Sequence, residues 1–452
     1  MIKTLKAIDE GAHRLERKKM TTSLITLSKP SSCDNDGILC DFPKSKGELD
    51  LEHLLFRHDS HSSVNLLDKE PDTPSLKDER LYASNAVKKV KADVTPKDFA
   101  KLGMLGRGDV GKVYLVRKKE SSRLLAMKVL SKQDMIKRKK VDRVLMEQRI
   151  LLKMNHPFLV TLHYTFQTST HLYFCMEYCP GGEFFKALQS QPGKCLSEAD
   201  ARFYTAEVIL ALEYLHLMGF IYRDLKPENV LLRESGHIVL SDFDLAKNDV
   251  FGYPTLQKGT QRGKHPRLNT RSCVQTLRTN SFVGTEEYIA PEIVVGQYHD
   301  SSVDWWTLGI FVYEMLYATT PFKGNSRNKT FHNILMLPLS LPPTSVTASK
   351  GYFQSHPRMI SGPCKSFLGG LLTKDPKRRL GYRTGAGDVR AHKWFRDINF
   401  ALLRNTKPPL QPKCCDYATH TPTGSLECGL PLYDKEARIP TDEVDPFDKF
   451  CS

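Results

Sequence analysis

An α+β architecture of two lobes, a small strand-rich one followed by a larger helical one, follows from three features of this 452-residue chain. Segments in which apolar and polar residues alternate around a tight glycine turn begin near Val94. The apolar period lengthens from two to about 3.6 after the PGGEF run at 180–184, and long helical patterns dominate from there on.

Taken in order, FAKLGMLGRGDVGKVYLVRKK and LLAMKVLSK read as strands, KKVDRVLMEQRILLKM as a helix and HLYFCMEYC as a buried strand. The later patterns SEADARFYTAEVILALEYLHLMG, DSSVDWWTLGIFVYEMLYAT and CKSFLGGLLTKD read as helices. The stretch from about residue 397 is irregular and proline-rich and is expected to wrap the domain. Residues 1–94 contain turn-rich runs such as SKPSSCDNDG, which bury little apolar surface, so this extension is expected to be disordered. The domain proper is placed at 95–396, with the lobes dividing near 178.

Composition narrows the class. With 40% apolar and 26% charged residues and no run of eighteen apolar ones, the chain reads as a soluble globular protein. The first twenty residues lack the apolar core of a secretory signal. The eleven cysteines show no C-x-x-C spacing and read as reduced thiols, which points to the cytoplasm. Residues 1–94 hold 16 basic and 16 acidic side chains, so the net charge of +15 falls entirely on the later part. That excess suits an anionic membrane surface, or is simply a basic surface; no nucleic-acid signature accompanies it.

The chemistry is concentrated in YRDLKPENVLLRESGHIVLSDFD at 222–244. Asp224 is placed to accept or orient a hydroxyl proton, and Lys226 to neutralise a transferring phosphate. Asn229 and Asp242 are the candidate Mg2+ ligands, the spacing of a protein-kinase catalytic loop. Upstream, Gly106-Arg107-Gly108-Asp-Val-Gly111-Lys-Val113 matches G-x-G-x-x-G-x-V, in which backbone approaches the ATP phosphates unhindered. That motif is shared by dinucleotide-binding turns, but here a second strand follows it. Lys128 lies 22 residues beyond Gly106, and Glu147, a further 19 on, is its best helical partner. Position 244 departs from the usual D-F-G. Aspartate accepts positive φ less readily than glycine, so this segment is expected to flip less freely.

The chain resembles the AGC group of serine/threonine kinases, through Tyr222-Arg-Asp, the DWW triplet, KDPKRRLG and the terminal Phe-x-x-Phe. Within it, Asp-Phe-Asp at 242–244, TNSFVGTEEYIAPE, PFKGNSRNKTFHNIL, GAGDVRAHKWF and FALLRNTKPPLQP resemble the branch shared by fungal flippase kinases and plant phototropin-type kinases. The likeness covers roughly 94–452 and implies the two-lobed kinase fold with a C-terminal tail. It implies an ATP site lined by Leu105, the glycine loop, Val113, Ala126, Lys128 and Met176, with the Glu177 and Cys179 backbones facing adenine and Glu183 reaching the ribose. It also implies that Asp304 anchors the catalytic loop, that Arg379 pairs with Glu292, and that Phe447 and Phe450 dock beside the Glu147 helix. Cys451 stands where such kinases often carry a phosphorylated hydroxyl. Glu183, Glu228, Glu287 and Glu314 would line the peptide groove and select substrates with arginine two or three residues before the acceptor.

Ser281, eleven residues before Glu292, is the expected site of an activating phosphate added by an upstream kinase, docking on Arg223. The insertion at 246–280 holds seven basic residues and one acid, Asp249. It reads as a solvated loop or, more sharply, as a contact for anionic lipid headgroups beside the groove. The sequence therefore reads as a cytoplasmic, monomeric serine/threonine kinase using ATP and Mg2+, with a peripheral place at the plasma membrane; the resemblance alone implies regulators of membrane lipid asymmetry, such as flippases, among its substrates. A pseudokinase scaffold, suggested by Asp244 alone, is the main alternative. A basic lipid- or nucleic-acid-binding adaptor would leave the ordered motifs without a purpose.

Overall fold

The computed structural model describes residues 94–108, 111–248, 253–257, 267–274, 279, 281–342, 360–412 and 445–451. The expected disorder of the first 93 residues and most of the tail thus lies outside the described residues, as do Asp249, Lys258, Arg262, Lys264 and Arg278.

The small lobe is built on a five-stranded antiparallel sheet. Its strands are β1 (Phe99–Arg107), β2 (Gly111–Lys118), β3 (Leu124–Ser131), β4 (Leu162–Gln167) and β5 (His171–Glu177), in the order β1-β2-β3-β5-β4. Two helices interrupt it, α1 (Lys132–Lys137) and α2 (Val141–Lys153). Pairing puts Val113 opposite Lys128, and Ala126 opposite Met176. Residues directly across an antiparallel pair share a face, as do residues two apart, so these four line one side of the sheet. The other side is closed by Phe99, Tyr114, Val116, Leu125, Met127, Phe166 and Tyr173. Gly111 is needed where β2 crosses β3, since a Cβ there would overlap the Leu130 side chain.

The helical lobe follows β6 (Gly182–Glu183) and α3 (Phe184–Gln189). Its centre is α4 (Glu198–Leu217), opened by Ser197, whose hydroxyl accepts from the Asp200 N–H at 3.2 Å. Strands β7 (Phe220–Ile221), β8 (Val230–Leu232), β9 (Ile238–Leu240) and β10 (Lys247–Asn248) frame the catalytic loop. Next come the hairpin strands β11 (Thr255–Gln257) and β12 (Arg267–Asn269), and helices α5 (Pro291–Val294), α6 (Ser302–Tyr317), α7 (Arg327–Met336), α8 (Gly362–Leu371) and α9 (Ala386–Arg390). Helix α6 is apolar almost all round and is buried accordingly, with Trp305 and Trp306 fully enclosed. The overall architecture is the two-lobed α+β one read from the sequence.

The insertion corrects one expectation. Residues 270–274 are no solvated loop: Thr270, Cys273 and Val274 are buried, and Thr270 N–H donates to Thr384 O at 3.2 Å. The Arg271 guanidinium stacks 3.9 Å from the Tyr382 ring centre and reaches Asp300 at 3.0 Å. The seat depends on two glycines. A Cβ at Gly385 would overlap the Thr270 hydroxyl, and one at Gly387 would meet Leu268 O at 2.6 Å.

The chain after 397 lies along the helical lobe, where the Tyr204 hydroxyl accepts from Leu410 N–H at 3.0 Å. Its described end docks on the small lobe. Phe447 and Phe450 are fully buried, Phe450 standing edge-on to Phe174 at 5.2 Å. Gln148, next to Glu147 on α2, donates to Phe450 O, and Gln167 donates to Phe447 O at 3.0 Å. Lys132, only 3% exposed, pairs with Asp445 at 2.6 Å.

Candidate active site

The strongest constraint on the catalytic loop comes from below. Asp304, fully buried in the first turn of α6, accepts from the Tyr222 and Arg223 N–H groups at 3.0 and 2.7 Å and from His216 at 2.8 Å. These bonds hold Arg223 at φ 65°, a region most residues avoid. The Tyr222 hydroxyl donates to Ser241 O at 2.5 Å, tying the loop to the segment that carries Asp242.

Asp224 is the centre of a joined set. Its carboxylate meets Lys226 Nζ at 3.0 Å, Asn229 Nδ2 at 2.7 Å and the Thr285 hydroxyl at 3.3 Å. Lys226 also donates to Thr285 Oγ at 3.0 Å. Burial raises the Asp224 pKa, with Lys226 and Asn229 pulling against it. Thr285 escapes sequence reading because its position matters only once the segment before Ala290-Pro291-Glu292 folds back over the loop; its fixed spacing before that triplet is the one available signal.

Lys128, from β3, lies 2.6 Å from Glu147 Oε1 and 3.6 Å from Asp242 Oδ1. Burial works against its charge, but Glu147 and Asp242 outweigh burial and raise its pKa. Lys128 in turn is the main cause of the lowered Asp242 pKa. Asp242 takes φ 53°, whereas Asp244 does not adopt positive φ. The unusual aspartate at 244 therefore sits in ordinary backbone, and its N–H donates to Asp242 Oδ1 at 3.4 Å.

The donor set fits Mg2+. Asp242 offers an ionised, partly exposed carboxylate. The Asn229 amide nitrogen is spent on Asp224, which leaves its oxygen for a ligand. Hard oxygen donors of this kind suit Mg2+. Ser241 donates to Asn229 O from both N–H and hydroxyl, at 2.9 and 3.0 Å, so the two ligands are tied through the backbone.

Above them, Val113, Ala126, Lys128 and Met176 share the cleft face, with Leu105 at the exposed end of β1. No atom lies within 4 Å of a Cβ built on Gly106, and Gly108 N–H closes the turn onto Gly111 O at 2.9 Å. The Glu177 side chain points away from the cleft, held by Arg233 at 2.9 Å, a partner absent from the sequence reading. Cys179 is buried, and burial pushes its thiol pKa up.

Ser281 Oγ accepts from Arg223 at 2.8 Å. It opens on a cavity of about 260 Å³ lined also by the cations Arg143 and Lys247, by Thr279 and by the carboxylates Asp142 and Asp244. Burial, with Arg143 nearby, lowers the Arg223 pKa to about 10, so an added anion would be welcome there. Farther out, Glu292 and Arg379 form a bidentate pair at 2.7 and 2.9 Å, both essentially unexposed.

The profile of the protein kinase domain matches residues 99–395. This chain belongs to the protein kinase family. The kinase is 52% identical over 392 residues to the serine/threonine-protein kinase nrc-2 of Neurospora crassa, covering 82% of this chain and 61% of that one. It is 53% identical over 319 residues to flippase kinase 1 of Saccharomyces cerevisiae, covering 71% and 34%. To phototropin-2 of rice it is 46% identical over 318 residues, covering 69% and 34%. Several of these relatives are thus much longer than the span they share with this kinase. They place it in the AGC branch to which its motifs pointed.

Proposed function

We propose that this kinase transfers the γ-phosphate of ATP to serine or threonine hydroxyls of proteins. The carrying observation is the Asp224–Lys226–Thr285–Asn229 set facing the Lys128–Glu147–Asp242 set across one cleft. Asp224 would take or orient the hydroxyl proton, Lys226 would meet the transferring phosphate, and Lys128, fixed by Glu147, would hold the inner phosphates. Mg2+ held by Asn229 and Asp242 would supply charge neutralisation at the phosphate oxygens. Catalysis then rests on positioning and on preorganised charge. Adenine would lie against Leu105, Val113, Ala126 and Met176, with phosphates under the Gly106–Gly111 turn.

Substrates would carry upstream arginine, read by carboxylates among Glu183, Glu228, Glu287 and Glu314. An upstream kinase would phosphorylate Ser281, and the phosphate would meet Arg143, Arg223 and Lys247 in a cavity that Asp142 and Asp244 also line. The name of the yeast relative supports membrane-lipid transport as the field of action. The exposed Tyr253, Leu256 and Leu268 of the β11–β12 hairpin, in a stretch without acids from Val250 to Asn280, support contact with anionic lipid and hence a cytoplasmic kinase working at the membrane.

The test is Mg-ATP transfer to an arrayed peptide library, with Asp224→Asn as control. Transfer to serine and threonine peptides bearing upstream arginine, lost in the variant, is expected. Absence of transfer after Ser281 phosphorylation would overturn the reading in favour of a pseudokinase. Tyr253→Ala with Leu256→Ala, measured by sedimentation with phosphatidylserine vesicles, checks the lipid contact; undiminished binding removes it.

A further inference from the structure

The four groove carboxylates are unequal. Both oxygens of Glu287 are engaged inside the chain: Oε1 meets Lys323 Nζ at 3.0 Å, and Oε2 accepts from Thr320 Oγ1 at 2.6 Å. Glu314 accepts from the buried Tyr288 hydroxyl, and its pKa is raised by burial and by Glu228 and Glu287 nearby. Glu228 is exposed, and among the described residues no cation is paired with it. Negative charge outside any internal ion pair is therefore left at Glu228 and Glu314, the latter with Lys323 near enough to oppose its raised pKa. Glu183, like Glu287, already has an internal cation, meeting Lys186 at 3.0 Å.

The Lys323 side chain is itself 60% exposed, but its backbone is seated. It follows Phe322, which is 1% exposed, stacked on Trp306 at 5.5 Å and capped by the Lys374 ammonium at 4.3 Å. The turn leaves α6 through Ala318 in the left-handed region, φ 57°. On the facing side, Glu287 is held by the short turn Glu286–Tyr288, whose Tyr288 is buried. With both backbones seated, the pair forms at smaller entropic cost than two free surface side chains would.

We propose that Lys323 sets substrate specificity as an internal cation. It fills the Glu287 end of the groove, so that the kinase recognises one upstream arginine, at Glu228 and Glu314, where an open groove would take two. This rests on the arginine-directed reading above. A substrate guanidinium at Glu287 would have to displace the ammonium and also find the second oxygen already bonded to Thr320, which denies it the two-pronged geometry that favours arginine.

The test compares peptides with no arginine, with one at either of the two positions nearest upstream, and with a second scanned through the other upstream positions. In the unaltered kinase the first arginine lowers KM and the second adds little. In Lys323→Ala the second is expected to lower KM by about fivefold more, the yield of an exposed ion pair. Lys323→Arg keeps the original pattern, and Glu287→Gln added to Lys323→Ala abolishes the gain. A second-arginine effect equal in the unaltered kinase and Lys323→Ala overturns the proposal. Indifference of the unaltered kinase to every arginine overturns instead the reading on which it rests, and the proposal with it.

Discussion

The Arg143 guanidinium stands 3.4 Å from the Asp244 carboxylate, joining the helix that carries Glu147 to the segment that carries Asp242. The side chains are 42% and 29% exposed, so the link is worth at most about 1 kcal/mol. Asp244→Gly is accordingly expected to change kcat/KM by less than about fivefold. Asp242→Asn should reduce it by about a hundredfold or more. Steady-state phosphate transfer by the two variants distinguishes the missing glycine from a missing metal ligand.

The acid limb of the pH profile should report Asp224. Burial raises its pKa above that of a free aspartate, and the proposed role needs the ionised form. Turnover should therefore fall as pH drops through a midpoint above the ordinary aspartate range. Lys226 opposes that shift, so Lys226→Ala should move the midpoint to still higher pH, apart from any loss in maximal rate. A kcat–pH series on both enzymes decides it.

Glu292 and Arg379 are 2% and 0% exposed and bonded through both oxygens. Removing either partner strands a buried charge, at a cost of about 3–5 kcal/mol. Arg379→Ala is expected to lower the unfolding midpoint by several degrees, as is Glu292→Ala, and the double variant should lose less than the sum. Calorimetry of the three variants measures the coupling.

Asp445 contributes the only described carboxylate paired with the buried Lys132. Asp445→Ala leaves that ammonium uncompensated and should loosen Phe447 and Phe450 from the helix of Glu147. Turnover is expected to fall by about tenfold, equivalent to about 1.4 kcal/mol. Pairing Asp445→Ala with Lys132→Met should recover most of it, because the stranded charge is gone. Rates for the single and double variants check this.

What the sequence exposed and what it hid divide along chain distance. Asp224, Asn229 and Asp242 fall within one hairpin, and its spacing alone brings them together. Lys128 and Glu147 were findable from their spacing after the glycine motif, 22 residues beyond Gly106 and a further 19 on. The partners that escaped are long-range and chemically ordinary: Thr285 over Asp224, Arg233 on Glu177, Lys323 on Glu287. A serine/threonine or a lysine on the surface carries no signal until the fold places something opposite it. The positive φ in the 242–244 segment belongs to Asp242 and not to the unusual Asp244. The seat of residues 267–274 was hidden in two glycines more than a hundred residues away.

That seat has a consequence for how Ser281 is reached. With Val274 buried in the helical lobe, six residues lie between it and Ser281, and the buried Thr279, bonded to His299 in both directions, is a second anchor two residues from the acceptor hydroxyl. A chain of that length extends at most about 24 Å. Ser281 is on a short leash, and any enzyme that modifies it must work close against this lobe, within a shell set by the docked anchor. The long basic stretch before the anchor can vary in length or sequence without changing that reach, and a bulky residue at 385 would remove the first anchor while leaving the second at Thr279.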